Sequence, residues 1–166
     1  MKYTDGFTLV EVLVTIVVLG ILLSIVVFIP VQALPRARDT ERLNDVASIA
    51  RRLEQAYTAQ EVGTPSYPST TRLLSDISSN SGTVARLGTE AVRAPRASGS
   101  SVVAATSTST MAPKGTGSPV LGEYVYQPLT RTGTLCTGTS ICTRFFLYYR
   151  TEVTNIVVTT KSIRQQ

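Results

Sequence analysis

The chain has neither histidine nor tryptophan in its 166 residues, and it has only two cysteines. Without an imidazole, a general base at neutral pH would need a carboxylate, lysine or thiol with a strongly shifted pKa. Two cysteines without histidine also fall short of the four ligands of a structural zinc site. Phosphate-binding glycine loops and nucleophile elbows are missing as well. The composition therefore argues against an enzyme, and we expect no cofactor and no metal.

Charge is sparse, at 16% of residues, with a net charge of +5 and no dense lysine or arginine run. Dispersed basic residues usually belong to a solvated surface, but they also permit a secondary hypothesis, which is DNA binding. Contacts to phosphates would give a salt-dependent affinity that does not depend on base sequence. The residues available for it are Arg72, Arg86, Arg93, Arg96, Lys114, Arg131, Arg144, Arg150, Lys161 and Arg164.

One long apolar run carries no charge at all: the twenty residues from Val12 to Val31. As a helix it would be about 30 Å long, which matches the hydrocarbon core of a bilayer. Glu11 lies at the edge of this run. A carboxylate at mid-membrane costs about 2.5–3.5 kcal/mol on insertion scales, and less near the interface. We therefore predict a membrane-inserted helix in which Glu11 has a partner of opposite charge.

Residues 6–11 read GFTLVE and stand directly before the apolar run. This segment resembles the N-terminus of type IV prepilins, and a weaker resemblance extends to about residue 68. It implies a leader that ends at Gly6, cleavage before Phe7 by a prepilin peptidase, and N-methylation of Phe7. It also implies that Glu11 meets the amine of Phe7 on a neighbouring subunit, which would fix the register of assembly.

The resemblance implies a structural subunit of a type IV pilus-like filament. Its partners would be further copies of itself in a helical homopolymer, the peptidase, the pilus assembly machinery and the membrane. The precursor would cross the inner (cytoplasmic) membrane once, with a cytoplasmic leader, and the assembled subunit would lie in a cell-surface pilus. Two alternatives stay open: a minor pilin or type II secretion pseudopilin, and a signal-anchored extracellular binding protein that never assembles and keeps its leader.

Three residues in or near the apolar run disfavour regular helix: Gly20, Pro30 and Pro35. Each proline removes a backbone donor and clashes with the preceding turn, so a bend or a locally unwound stretch is expected. Assembled filaments of the resembled family lose helicity in a comparable central stretch. The alternative is that these prolines are simply tolerated near the end of a membrane helix.

Five segments follow from the pattern: a leader (1–6), a hydrophobic transmembrane and assembly helix (7–34), an amphipathic half of the same helix (35–61), a connection with a Ser/Thr-rich variable loop (62–121), and an antiparallel sheet (122–166). The amphipathic half has apolar residues at spacings of three and four. These residues are Leu43, Val46, Ala47, Ala50, Leu53 and Tyr57. A short helix is expected at 70–77, and an exposed irregular loop at 78–119.

Aromatic and β-branched residues return in three stretches, 122–129, 143–152 and 155–161, with turn signals between them. Cys136 and Cys142 lie between the first two stretches, and the spacing favours a disulfide if the head is exported, or two free thiols if it is not. The predicted fold is α+β, with the long N-terminal helix packed on a small antiparallel sheet in the lollipop shape of pilins.

Overall fold

The computed structural model describes residues 6–58, 64–80, 87 and 91–164, without the side chains of residues 25–32. It contains two helices, α1 (Leu9–Thr58) and α2 (Thr70–Ser78). Four strands follow: β1 (Val102–Ala104), β2 (Tyr124–Leu129), β3 (Arg144–Arg150) and β4 (Val157–Lys161). The chain divides into two compact units, Met1–Ala37 and Arg38–Gln166, and we call the second the head unit. The α+β prediction is confirmed.

Helix α1 runs without a break through Gly20, Pro30 and Pro35. The isolated chain therefore does not show the locally unwound stretch that was one of the two expectations at these residues. Loss of helicity in an assembled filament stays a prediction. The expected end of the helix at residue 61 falls on residues 59–63, which lie outside the described residues.

The sheet has the strand order β1-β2-β3-β4. β2, β3 and β4 pair antiparallel, as predicted, whereas β1 pairs parallel to β2 with Val102 opposite Tyr124. The prediction of a purely antiparallel sheet is therefore wrong for its first strand. β1 has only three residues, and its parallel partner lies twenty residues along the chain, so no local pattern announces it.

The core lies between α1 and the sheet. Helix α1 contributes Val46, Ile49, Leu53 and Ala56, which are all buried and follow one another at spacings of three and four. They pack in one cluster with the buried residues of the sheet. The buried face of α1 is rotated by part of a turn from the predicted apolar stripe. Leu43 is half exposed, and Arg42 lies on the buried face in its place.

Part of the segment 78–119 is buried, so the expectation of an exposed loop is wrong there. Val92, Ala94, Val102 and Ala105 are all buried. On the second face of the sheet, the fully buried Gln127 donates from Nε2 to the carbonyls of Ser107 (2.7 Å) and Ser109 (3.1 Å). Its Oε1 accepts from the Tyr148 hydroxyl at 2.7 Å. A core glutamine, which sequence pattern cannot distinguish from a surface one, thus holds this loop against the sheet.

The Cys136–Cys142 disulfide is present, with both residues fully buried and their Cα atoms 5.8 Å apart. The backbone N–H of Tyr67 donates to the Cys142 carbonyl (2.9 Å), and that of Thr70 donates to the Cys136 carbonyl (3.2 Å). The closed loop is thereby attached to the start of α2. On the chain-entropy model, so small a loop contributes about 2.3 kcal/mol of stability.

Candidate processing and assembly site

Three of the described residues precede α1 and are non-helical: Gly6, Phe7 and Thr8. Phe7 is 81% exposed, and a Cβ built on Gly6 would meet no other atom within 4 Å. The Gly6–Phe7 peptide bond therefore lies outside the helix and is open to solvent. This is the bond at which the sequence predicts cleavage.

Thr8 directly precedes α1 and caps it. Its Oγ1 accepts a hydrogen bond from the Glu11 backbone N–H at 3.2 Å, and its carbonyl oxygen accepts from the Val12 N–H at 3.2 Å. These are the two bonds of a helix N-cap, which satisfies backbone donors that the first turn would otherwise leave unpaired. The helix therefore starts two residues after the predicted cleavage point.

Glu11 is the one acidic residue in the first turn of α1, and its side chain is exposed. A carboxylate is favoured there, because the unpaired N–H groups at a helix N-terminus carry partial positive charge. Phe7 and Glu11 lie four residues apart at the same end of α1. The structure thus brings the predicted cleavage point and the predicted assembly carboxylate together, with both accessible to another molecule.

Apolar side chains surround the first part of α1 on every side and remain about half exposed. A helix that is apolar all round requires lipid or other helices as neighbours. Within the described residues, no helix meets both the length and the apolarity needed to cross a membrane. The exposed side chains are Leu9, Val10, Val12, Leu13, Val14, Ile16, Val17, Val18, Leu19, Ile21, Leu22 and Leu23.

The head unit contains an ionic network that the sequence analysis did not identify. The Asp39 carboxylate on α1 accepts from the backbone N–H groups of Glu152 (2.7 Å) and Val153 (3.0 Å) in the β3–β4 turn. In the other direction, Arg38 Nε donates to Glu152 Oε2 at 2.8 Å. Arg42, whose side chain is 3% exposed, lies 2.9 Å from Asp39 and 3.4 Å from Glu152. We call these four residues, Arg38, Asp39, Arg42 and Glu152, the turn clasp.

The turn clasp predicts how stability depends on pH. The hydrogen bond from Arg38, followed by the charges of Arg38 and Arg42, lowers the Glu152 pKa from its ordinary 4.5 to about 2. A folded-state pKa below the unfolded value means that the ionised carboxylate stabilises the fold. That stabilisation is complete above about pH 4.5 and is lost as the pH falls toward 2. We therefore expect the unfolding temperature of the full chain to fall in this range.

The variant that tests this prediction is Glu152→Gln, which cannot ionise and should show a shallower fall between pH 4.5 and 2. Glu41→Gln is the matched control, because Glu41 is an exposed carboxylate on the same helix outside the clasp. Thermal unfolding followed by circular dichroism at several pH values measures both. Parallel curves for the wild type and Glu152→Gln would contradict the assignment.

Two further carboxylates of α1 accept hydrogen bonds from other parts of the head unit. Asp45 accepts from the Tyr124 hydroxyl at 2.6 Å. Glu54 accepts from the Tyr67 hydroxyl (2.8 Å) and from the Ile163 backbone N–H (2.8 Å). Burial, more than these bonds, raises the pKa of both phenols above the ordinary value, so they remain hydrogen-bond donors at neutral pH. The apolar spacing of α1 does not predict these contacts.

Several basic residues proposed for DNA contact are used within the chain. The Arg150 guanidinium donates to the carbonyls of Pro119 (2.7 Å) and Asn155 (2.9 Å). Lys114 forms an ion pair with Glu123 at 2.7 Å, and the Arg164 guanidinium lies 5.0 Å from the Tyr57 ring centroid. Arg86 lies outside the described residues. The charges are therefore dispersed and partly engaged, as in an ordinary solvated surface.

Comparison with known proteins adds one match. Residues 1–27 match the family model described as the prokaryotic N-terminal methylation motif, which is the class III signal peptide of type IV pilins. No curated protein and no solved structure matches the chain. The matched segment contains Gly6, Phe7, Glu11 and most of the apolar run, and it ends before the head unit. The motif supports a pilin-like or pseudopilin protein, and it implies a structural protein and not an enzyme.

Proposed function

We propose that the chain is the structural subunit of a type IV pilus-like filament, made as a membrane-inserted precursor and processed by a prepilin peptidase. The observation that carries this proposal is the methylation motif at residues 1–27. The geometry at its N-terminus supports it, because the Gly6–Phe7 bond lies outside α1 and Glu11 is exposed in the first turn. The precursor resides in the inner membrane, and the processed subunit in a surface pilus.

Cleavage creates the cation that Glu11 needs. Hydrolysis after Gly6 leaves a free amine on Phe7, and N-methylation preserves its positive charge. In the filament, the Glu11 carboxylate of one subunit pairs with the Phe7 amine of a neighbouring subunit. Since a buried charge without a partner costs much more than a paired one, the pairing opposes misaligned association and sets one register for each subunit.

The apolar part of α1 supplies contact area but little specificity. Lipid tails are as apolar as leucine, so helices that leave a bilayer for a bundle gain from packing and from polar contacts and gain little from the hydrophobic effect. The exposed valine, leucine and isoleucine side chains between Leu9 and Leu23 form that packing surface. The single carboxylate at the end of this surface, Glu11, then fixes the axial position of each subunit relative to its neighbour.

Gly6→Val is expected to leave the chain as a full-length precursor. A bulky β-branched side chain next to the scissile bond prevents it from entering an active site that accepts a small residue. Gly6→Ala is the matched control and should retain cleavage, since alanine adds only one methyl group in open space. Intact mass measurement of membrane extracts distinguishes the two forms. Processing of Gly6→Val at the wild-type rate would contradict the proposed leader.

The proposed function as a whole is tested by mass analysis of purified surface fibres. Fibres composed mainly of a chain that begins at N-methylated Phe7 support a main subunit, and a trace of the same chain supports a minor pilin. Short periplasmic fibres of a secretion system would support a pseudopilin. A monomer that retains Met1 to Gly6 in a strain with active peptidase would support the anchored binding protein and overturn the proposal.

We do not extend the proposal to DNA. Lys114 and Arg150 are held by contacts within the head unit. A titration of the full chain with duplex DNA at low and moderate salt tests this conclusion. Affinity that falls steeply with salt would reverse it.

A further inference from the structure

Two residue types near the N-terminus can begin a helix. Asp5 and Thr8 both have short side chains with an oxygen that can accept from the backbone of a first turn. The two possible starts have different consequences for the predicted cleavage point. A helix capped by Asp5 would include Gly6 and Phe7, whereas a helix capped by Thr8 excludes both.

The structure uses the later start. Thr8 Oγ1 accepts from the Glu11 N–H, the Thr8 carbonyl accepts from the Val12 N–H, and α1 begins at Leu9. Thr8 and Glu11 also have the threonine-x-x-glutamate spacing of a capping box. Gly6 also favours the later helix start, because glycine is among the least favourable residues within a helix.

We propose that Thr8 is a positioning residue for processing, an inference that rests on the proposed function. By capping α1 at Leu9, Thr8 keeps the Gly6–Phe7 peptide bond in non-helical backbone. Hydrolysis consumes one water, breaks the C–N bond, and leaves a carboxylate on Gly6 and an amine on Phe7. The carbonyl of Gly6 must be accessible for this attack. Within a helix that carbonyl would instead accept a hydrogen bond from the Val10 N–H.

The test separates capping from side-chain shape. Thr8→Val preserves the shape of threonine but cannot cap, whereas Thr8→Asn caps a helix with a different shape, and Thr8→Ser caps with a smaller one. Each full-length precursor is expressed with an active prepilin peptidase, and the rate of cleavage is followed by mass after synthesis is stopped. Loss of one cap shifts the balance between the two helix starts about fivefold toward the earlier one, so we expect Thr8→Val to be cleaved more slowly, by at most about fivefold. Thr8→Ser and Thr8→Asn should remain within about twofold of the wild type.

A second measurement reports the helix start itself. In detergent-solubilised precursor, the Val10 amide should exchange its hydrogen more slowly in Thr8→Val than in Thr8→Ser, because the earlier helix start gives it the Gly6 carbonyl as acceptor. Removing the competing cap gives a further check. In an Asp5→Ala background, the slowing of cleavage that Thr8→Val causes should shrink, since the earlier helix start is no longer favoured.

The outcomes are distinct. Equal cleavage of Thr8→Val and the wild type overturns this inference and leaves the proposed function intact. Slow cleavage of Thr8→Asn together with normal cleavage of Thr8→Val also overturns it, and shows instead that the peptidase recognises the shape of the threonine side chain. A wild-type chain that is not cleaved at all overturns the proposed function, and this inference with it.

Discussion

Glu11→Ala is expected to abolish surface fibres while the protein remains processed and membrane-inserted. Removing a carboxylate lowers the cost of placing the helix in lipid, so insertion should not suffer. Assembly should suffer if each subunit pairs with the Phe7 amine of a neighbour, as proposed above, because the variant lacks the carboxylate for that pairing. Close charge pairs at interfaces have coupling energies of about 1.5–7 kcal/mol, and about 1.4 kcal/mol already changes an association constant tenfold. We expect fibre yield to fall at least about tenfold.

The matched control is Glu41→Ala, which removes another exposed carboxylate from the same helix, at a position within the head unit. It should leave fibre yield close to that of the wild type. Electron microscopy and quantitation of sheared fibres measure assembly, and mass analysis of the membrane fraction confirms cleavage after Gly6. Wild-type fibre yield from processed Glu11→Ala would reject the assembly role of this residue.

Phe145→Ala is expected to cost about 3–5 kcal/mol of folding free energy, the range for removing a buried phenylalanine. Phe145 is fully buried at the start of β3, with its ring centroid 4.8 Å from that of Tyr67 in an edge-to-face pair and 6.0 Å from that of Tyr126. Domains of this size have total stabilities of about 5–15 kcal/mol. The variant should therefore be partly unfolded, or fold with only a small remaining stability.

The neighbouring Phe146 provides the control, because it lies on the second face of the sheet and is only partly buried. Phe146→Ala should cost clearly less. Denaturant unfolding of the full chain in a mild detergent, followed by near-ultraviolet circular dichroism, ranks the two variants. A larger loss for Phe146→Ala than for Phe145→Ala would show that the core has been assigned to the wrong face.

The elements with strong local signals were predictable from sequence. The aromatic and β-branched stretches became β2, β3 and β4, and the serine-capped segment at residue 70 became α2. The processing residues were predicted because GFTLVE combines a small residue, a cleavage position and an acid before an apolar run. The family match at residues 1–27 confirms the motif, whereas the roles of Phe7 and Glu11 in assembly stay predictions.

The features that the sequence did not predict have a common physical origin, which is contact between residues far apart in the chain. β1 needs a partner strand twenty residues away, and Gln127 is buried only because the loop at Ser107 and Ser109 covers it. An acid in an amphipathic pattern, such as Asp45 or Glu54, normally faces solvent. Both acids instead accept hydrogen bonds from tyrosine hydroxyls elsewhere in the head unit, and the helix pattern contains no information about those tyrosines.

The three carboxylates Asp39, Asp45 and Glu54 have a mechanical consequence. They anchor one continuous helix to the sheet and its turns at points spread over about 22 Å of its axis. A pull along α1 therefore loads all three attachments in shear at once and does not peel them apart one by one. In the proposed filament, tension along α1 would reach the sheet of the head unit as a shared load, so the head unit should stay folded under forces that would open a single contact.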